Sequence, residues 1–494
     1  MEEGESYLDK LFKSKEAKYL TGIVVLAIVI RLIYFSVNKA VWWDAADYLV
    51  WAKMIGKSLD INYVFNPRRP FLLPLLWGLL YKIGFGEIAL RVTEFFFSVI
   101  AVIATYFVGK IMYNKKIGLI ASLLMSVFWL HLFFTSRLLT SVPALAFWLL
   151  AVYCFWRGYV KKDKSKFLWL AGLFLGLSIL TRAAASMMVG VILLFLLLGG
   201  GNKFKFLKNK QLWIGLVVFI LVLSPFFILV QVTQGDAIGK ISGVEEGRFS
   251  NAMGFAGIPQ YIKFLPTYFT WPLLILFIIG LYAFVNLFMG YDLFWKGKLK
   301  AKNDFFLFWW MIVPFLFYSL MVDHMEPRYL MFIFPAAFIL VAKGAIWLYD
   351  ALKKYKKELA MVVVGLILLI GVGMQLSHAN DMIKNKADSY VQLNLAGEWI
   401  KERSSPGDVI ICRSTYQMMY YAERSVYDFG STEEGFEELL VEVNPRYMVL
   451  SALEHHNEWM YSYPARHNGT WVPVQAYFVD ESNQQPILVI YEKN

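Results

Sequence analysis

Apolar stretches of roughly 20 residues, the length that crosses a bilayer as a helix, alternate with short polar loops along most of the chain. Eleven of them predict spanning helices, over residues 20–37, 88–109, 117–134, 138–156, 167–182, 184–200, 212–232, 267–290, 305–322, 329–348 and 359–377. A twelfth stretch, PFLLPLLWGLLYKIG at 70–84, is short and carries Pro70 and Pro74 in its first turns. An interfacial or re-entrant helix is expected there rather than a span. Beyond residue 377 the pattern changes. EWIKERSSPGDVIICRS predicts a helix, a Pro-Gly turn and a strand. SVYDFG, RYMVLSA, WVPVQAYFV and ILVIYEK predict further strands, and STEEGFEELLVEV and the region around His455 predict helices. The expected fold is a polytopic α-helical membrane domain over 1–377, of about 11 spans with a first outer loop at 38–87, followed by a soluble α/β domain over 378–494. No internal repeat of fixed period is visible.

Composition agrees with a membrane class. Of the 494 residues 58% are hydrophobic and only 17% charged, against about a quarter charged in soluble domains. The net charge of +11 does not signal nucleic-acid binding, because of where it lies. From His378 onward there are 17 acids and 9 bases, a net of −8, so the rest of the chain carries +19. Much of that excess sits in five short loops: GKIMYNKK, RGYVKKDKSK, NKFKFLKNK, FWKGKLKAK and LKKYKK. With eleven spans all five fall on one face, which the positive-inside rule makes cytoplasmic. The loop 233–264, the turn VDHMEPR and the segment after 378 are then extracytoplasmic. The first outer loop joins them if 70–84 does not cross. The two cysteines, Cys154 and Cys412, suggest neither a disulfide framework nor a Cys-based zinc site.

Three groups of polar residues stand out against this background. In WWDAADYLVWAKMI, Asp44 and Asp47 fall on one face of a helix with Trp51. A carboxylate at the outer surface, shielded by protein, suits a general base; a solvated acidic loop is the plainer alternative. VDHMEPRYLMFIFP packs Asp323, His324, Glu326, Arg328 and Tyr329 into one turn at a helix mouth. An arginine there suits a lipid phosphate through its planar fork, and an interfacial anchor with local ion pairs is the alternative. The third group, Arg31, Arg68, Arg69, Arg137 and Arg182, lies near the outer ends of apolar runs. Each alone reads as a snorkelling anchor, but several cations on the face that lacks basic loops suit an anionic ligand. The loop bearing Glu245, Glu246 and Arg248 between glycines is a flap or a plain connector. His455 and His456 have no obvious third ligand.

These stretches, taken in order, resemble the GT-C membrane glycosyltransferases, the group of protein O-mannosyltransferases, aminoarabinose transferases and the catalytic oligosaccharyltransferase subunit. WWDAADYLVWAKMI resembles the group's acidic first-loop helix, and NPRRPFLLPLLWGLLYKIGFGEIALRV its proline-led segment ending in Gly, Glu and Arg. SRLLTSVPALAFWLLAV resembles its Ser-Arg loop, GLSILTRAAA its Gly-Leu-x-x-Leu-Thr-Lys/Arg helix end, and EPRYLMFIFPAAFIL its Arg-Tyr-Leu stretch.

The resemblance implies transfer of a sugar, with inversion, from a polyprenyl- or dolichyl-phosphate carrier to a hydroxyl on a glycan, protein or lipid acceptor at the extracytoplasmic face. It puts Asp44 in the catalytic position, with Asp47 one helical turn on. It places Arg328 on the donor phosphate, with Arg182 and Arg69 as further candidates. His324, Glu326, Arg137 and Tyr329 are then candidate substrate contacts. Two positions depart from the group's pattern: Ala45 stands where a Glu often follows the first acid, and Ser141 where the Ser-Arg loop often carries an acid. Fewer oxygen ligands disfavour a divalent ion, so no cofactor is expected. The competing class is a transporter or lipid flippase, which needs a path through the midplane. An enzyme needs Asp44 and Arg328 on one cavity.

Overall fold

The computed structural model describes residues 14–135, 137–164, 166–199, 204–242, 251–289, 299–455, 457–479 and 485–494. Ser136, His456 and the Glu245, Glu246 and Arg248 loop lie outside the described residues. Every one of the eleven apolar stretches contains helix. Among the described residues six helices are long and apolar enough to cross a bilayer: Glu87–Met112, Ser141–Val160, Lys210–Gln234, Leu299–Met321, Pro327–Lys353 and Lys357–Asn385. Lys166–Thr181, Ala183–Leu198 and Trp271–Tyr282 are shorter apolar helices. The chain is an integral membrane protein. Its Pro327–Lys353 helix is 83% buried over its most apolar window, whereas Lys210–Gln234 and Lys357–Asn385 are 22% buried. The first is therefore the axis of the bundle, and the other two present their side chains to lipid.

Close contacts hold that axis. A methyl added at Gly344 would come 2.0 Å from the Leu276 carbonyl, and one at Gly280 would come 2.1 Å from that of Leu340. Reciprocal glycines let two helix backbones touch, the usual means of packing where lipid supplies no hydrophobic drive.

Two expected helices are broken. The stretch 117–134 splits at Phe128 into Lys115–Val127 and Trp129–Phe134, and 267–290 splits at Thr270, which takes φ 61°. Each break frees backbone groups that lipid cannot satisfy. One side chain serves both. The buried Gln375 accepts from the Trp129 amide at 3.1 Å and donates to the Tyr268 carbonyl at 2.8 Å. The helix at Leu72–Lys82 has 11 residues, about 16 Å at 1.5 Å per residue, half of a bilayer core. It lies against helix Trp43–Lys57, where a methyl on Gly56 would meet the Gly78 carbonyl at 2.5 Å.

Among its described residues the tail carries five strands: β1 Val409–Cys412, β2 Ser425–Tyr427, β3 Tyr447–Ser451, β4 Trp471–Tyr477 and β5 Leu488–Lys493. They form one sheet in the order β2-β1-β3-β5-β4, with β1 parallel to β2 and β3, and β5 antiparallel to β3 and β4. Helix Thr415–Ala422 joins β1 to β2 and packs on helix Trp43–Lys57. Gln417 donates to the Val41 carbonyl at 2.8 Å, and the Val41 amide donates to the Tyr421 hydroxyl at 2.7 Å. Lys53 and Lys57 each reach Glu423 at 2.8 Å. The 38–87 segment and the tail thus share one end of the bundle.

Candidate active site

Asp44 stands in the first turn of helix Trp43–Lys57, where the helix dipole favours a negative charge. Arg69 reaches it from a turn that Asn66 organises. The Asn66 side chain accepts from the Arg68 amide at 3.0 Å, and its carbonyl accepts from the Arg69 amide at 3.0 Å, an Asx arrangement ahead of Pro67. Arg69 then donates to the Asp44 carboxylate at 2.9 Å and to the Asp44 carbonyl at 3.0 Å. Arg328 donates to the other Asp44 oxygen across 284 residues of sequence. It is carried by a 3-10 turn, Pro327–Ile333, that opens on an extended Glu326.

Further contacts extend from this centre. Arg328 also donates to Glu326. His324 lies 3.8 Å from Glu326, 2.6 Å from Asp323 and 3.1 Å from the Tyr329 hydroxyl. Tyr329 stacks on Tyr318 with centroids 4.8 Å apart. Arg182 donates to Thr140 at 3.4 Å and is not bonded to Asp44. Arg137 is buried between Trp42 and Phe133, whose ring centroids lie 4.1 and 3.9 Å from its guanidinium carbon. Both of its terminal nitrogens lack a hydrogen-bond partner.

The two acids differ sharply. Asp47 is 0% exposed, pairs with Arg69 at 2.7 Å and accepts from the Tyr63 hydroxyl at 2.8 Å. Burial raises its pKa above the ordinary aspartate value against the pull of Arg69. Asp44 lines a cavity of about 720 Å³ together with Trp43, Phe133, Glu326, Arg328 and Lys386. Burial pushes its carboxyl up too, but Arg328 and Arg69 outweigh it and hold the pKa at about 2. A second cavity, of about 770 Å³, lies beyond Tyr63 and takes Trp51, Asn66, Arg68 and the tail's Tyr416 into its wall. Tyr416 meets the rings of Trp43 and Tyr63 at 6.3 and 6.1 Å.

Asp44 and Arg328 therefore line one cavity. Tyr63, Lys386 and Tyr416 were not among the residues singled out from the sequence. Tyr63 lay within reach, since it sits in the same loop as Arg68 and Arg69. Among the described residues no group of three or more His, Cys, Asp or Glu side chains is arranged to hold a metal ion.

Known proteins share this arrangement of elements. ArnT from Cupriavidus metallidurans, solved bound to undecaprenyl phosphate, superposes with a TM-score of 0.67 at 13% identity, over 96% of this chain and 98% of that one. The chain has the GT-C membrane-glycosyltransferase fold. An Archaeoglobus fulgidus oligosaccharyltransferase, solved tethered to an acceptor peptide, shares the GT-C fold with a TM-score of 0.59 at 14% identity, over 90% of this chain and 70% of that one. Residues 68–229 match the family described as dolichyl-phosphate-mannose-protein mannosyltransferase. The undecaprenyl phosphate-alpha-4-amino-4-deoxy-L-arabinose arabinosyl transferase 2 of Proteus mirabilis is 24% identical over 373 residues, 71% of this chain. The match spans 64% of that relative, just under two thirds of its length.

Proposed function

We propose that the chain moves a sugar from a polyprenyl- or dolichyl-phosphate carrier to an acceptor hydroxyl, with inversion, at the extracytoplasmic face. The observation that carries this is Asp44 held between Arg69 and Arg328 in the wall of one cavity. The family and the relative named above share one donor chemistry, a sugar on a polyprenyl-type phosphate. The aromatic walls of the 720 Å³ cavity suit the sugar and the start of the lipid chain. Arg328 and Arg69 suit the phosphate.

In the proposed step the acceptor oxygen bonds to the anomeric carbon as its proton passes to Asp44. The bond from that carbon to the phosphate oxygen breaks, and its electron pair leaves with the lipid phosphate. Asp44 paired to two guanidiniums is a weak base. A donor phosphate that takes hydrogen bonds from Arg328 and Arg69 draws them off Asp44 and raises its basicity, coupling donor binding to activation. The same two cations stabilise the charge growing on the leaving phosphate, so the transfer runs without a divalent ion. Asp47, closed off from the cavity, positions Arg69.

The test is transfer from a radiolabelled polyprenyl-phosphate sugar in sealed vesicles. Wild-type activity that survives a chelator and disappears in Asp44→Asn supports the assignment; full activity in Asp44→Asn removes it. For sidedness, Asp60→Cys is placed in a background lacking Cys154 and Cys412. An impermeant thiol reagent labels it on intact cells if the loop is extracytoplasmic.

A further inference from the structure

A cavity of about 520 Å³ lies at the end of the membrane domain away from Asp44. Helix Glu87–Met112 fixes the separation. Glu87 accepts from the tail's Tyr420 at 2.8 Å, whereas Met112 and the following Tyr113 line this cavity. Those 26 residues rise about 39 Å, more than a bilayer core.

The floor is a buried ion pair. Asp304 accepts from Lys343 and, at 2.5 Å, from the Tyr113 hydroxyl. The two charged side chains are 7% and 13% exposed. Beside them the Asn303 amide nitrogen donates to the Met112 carbonyl, while its side-chain oxygen is buried with no hydrogen-bond partner. The rim carries Lys161 and Lys300, both exposed. Asp350 shares the rim, so with the floor pair neutral the opening is net positive by one charge. On the outer flank Tyr282 and Trp347 stand with centroids 6.3 Å apart, each about half exposed.

Three features coincide: lysines at the surface, an unmet acceptor deeper in, and a half-exposed aromatic pair on the flank. Free phosphate would use only the first. A phospholipid uses all three. Its phosphate meets the lysines, a headgroup hydroxyl donates to Asn303, and its acyl chains leave past Tyr282 and Trp347. Basic pockets between membrane helices on the lysine-rich side are known headgroup sites. We propose that this cavity binds an anionic phospholipid whose headgroup bears a hydroxyl, of the phosphatidylglycerol type. The proposal stands apart from the transfer reaction and survives its failure.

The test uses the full chain in mild detergent, titrated with short-chain phosphatidylglycerol, phosphatidylcholine, phosphatidylmethanol and inorganic phosphate, with retained lipid counted by native mass spectrometry. Phosphatidylglycerol is expected to be held at least tenfold more tightly than phosphatidylcholine. Replacing both rim lysines (Lys161→Gln with Lys300→Gln) is expected to weaken it about 30-fold, near the worth of two basic groups at a membrane surface, with the melting temperature unchanged. Lys39→Gln, exposed at the opposite end, leaves retention intact. Retention that survives the double substitution, or that is lost in Lys39→Gln, overturns the site. Displacement by equimolar inorganic phosphate overturns the lipid assignment. Phosphatidylmethanol held as tightly as phosphatidylglycerol overturns the role of Asn303.

Discussion

Asp44 and Asp304 are both carboxylates set among membrane helices, at opposite ends of the same bundle, and they are served differently. Asp304 has one ammonium and one hydroxyl, and its side chain is 7% exposed. Asp44 has a guanidinium on each oxygen and keeps 34% of its side chain open to a cavity. A closed pair of equal and opposite charges is complete in itself. Two cations on one accessible carboxylate leave positive charge that a second anion can claim. The sources of the cations differ too. Lys343 rises from the interior of a long helix, whereas Arg69 and Arg328 hang on a tight turn and a 3-10 segment, where small backbone shifts can redirect a side chain. The same chemical types thus give a lock at one end and an exchangeable pair at the other.

The largest expected effect breaks that comparison from the active side. Asp44→Asn keeps shape and removes the proton acceptor, so kcat for sugar transfer should fall about 10²- to 10⁴-fold, the usual worth of a general base, with the melting temperature nearly unchanged. Asp304→Asn should do the reverse. It strands Lys343 as an unpaired buried charge, which costs about 3–5 kcal/mol, while the transfer rate per folded molecule is retained. Thermal unfolding and initial rates on both variants settle the matter. Adding Lys343→Met to Asp304→Asn should restore most of the lost stability, since an apolar pair replaces an orphaned ion. If Asp304→Asn silences transfer without unfolding, the two ends are coupled and the contrast fails.

A buried polar group in this bundle matters even without charge. Gln375 satisfies one backbone donor and one acceptor at two helix breaks. Gln375→Leu should cost about 1–3 kcal/mol per group stranded, read as a lower melting temperature with the donor KM unchanged.

What the sequence disclosed follows from the range of each interaction. Asp44 and the VDHMEPR turn were legible because charges are scarce in this chain and these cluster locally. Six of the eleven expected spans were legible from their length, and the others hold shorter or broken helices among the described residues. The charge pattern put Asp44 and Arg328 on one face if 70–84 does not cross, but only the resemblance to a known group set them in one site across 284 residues. The break at Phe128 was hidden because the apolar run is unbroken, and the side chain that permits it lies 246 residues away. Helix Thr415–Ala422 was passed over because TYQMMYYA has only 8 residues, too few for a helical period to show. That helix covers one side of the candidate site.

The smallest effect concerns that cover. Glu423 joins the tail to the helix of Asp44 through Lys53 and Lys57, and to Lys401 at 3.2 Å within the tail. Burial raises its carboxyl, but hydrogen bonds from Lys53 and Lys57 prevail and set the pKa at about 2, below the ordinary 4.5. A carboxylate held below its unfolded value stabilises the fold above that unfolded value, and the gain is lost as pH falls through the interval. The wild type should therefore exceed Glu423→Gln in melting temperature by a constant margin above about pH 5. The margin should shrink as pH falls from 4.5 towards about 2. Asp44 titrates over a similar acid range, so the comparison is made within the Asp44→Asn background. A margin near zero at every pH would show that the tail is held by Gln417, Tyr421 and apolar packing alone, with Glu423 a spectator.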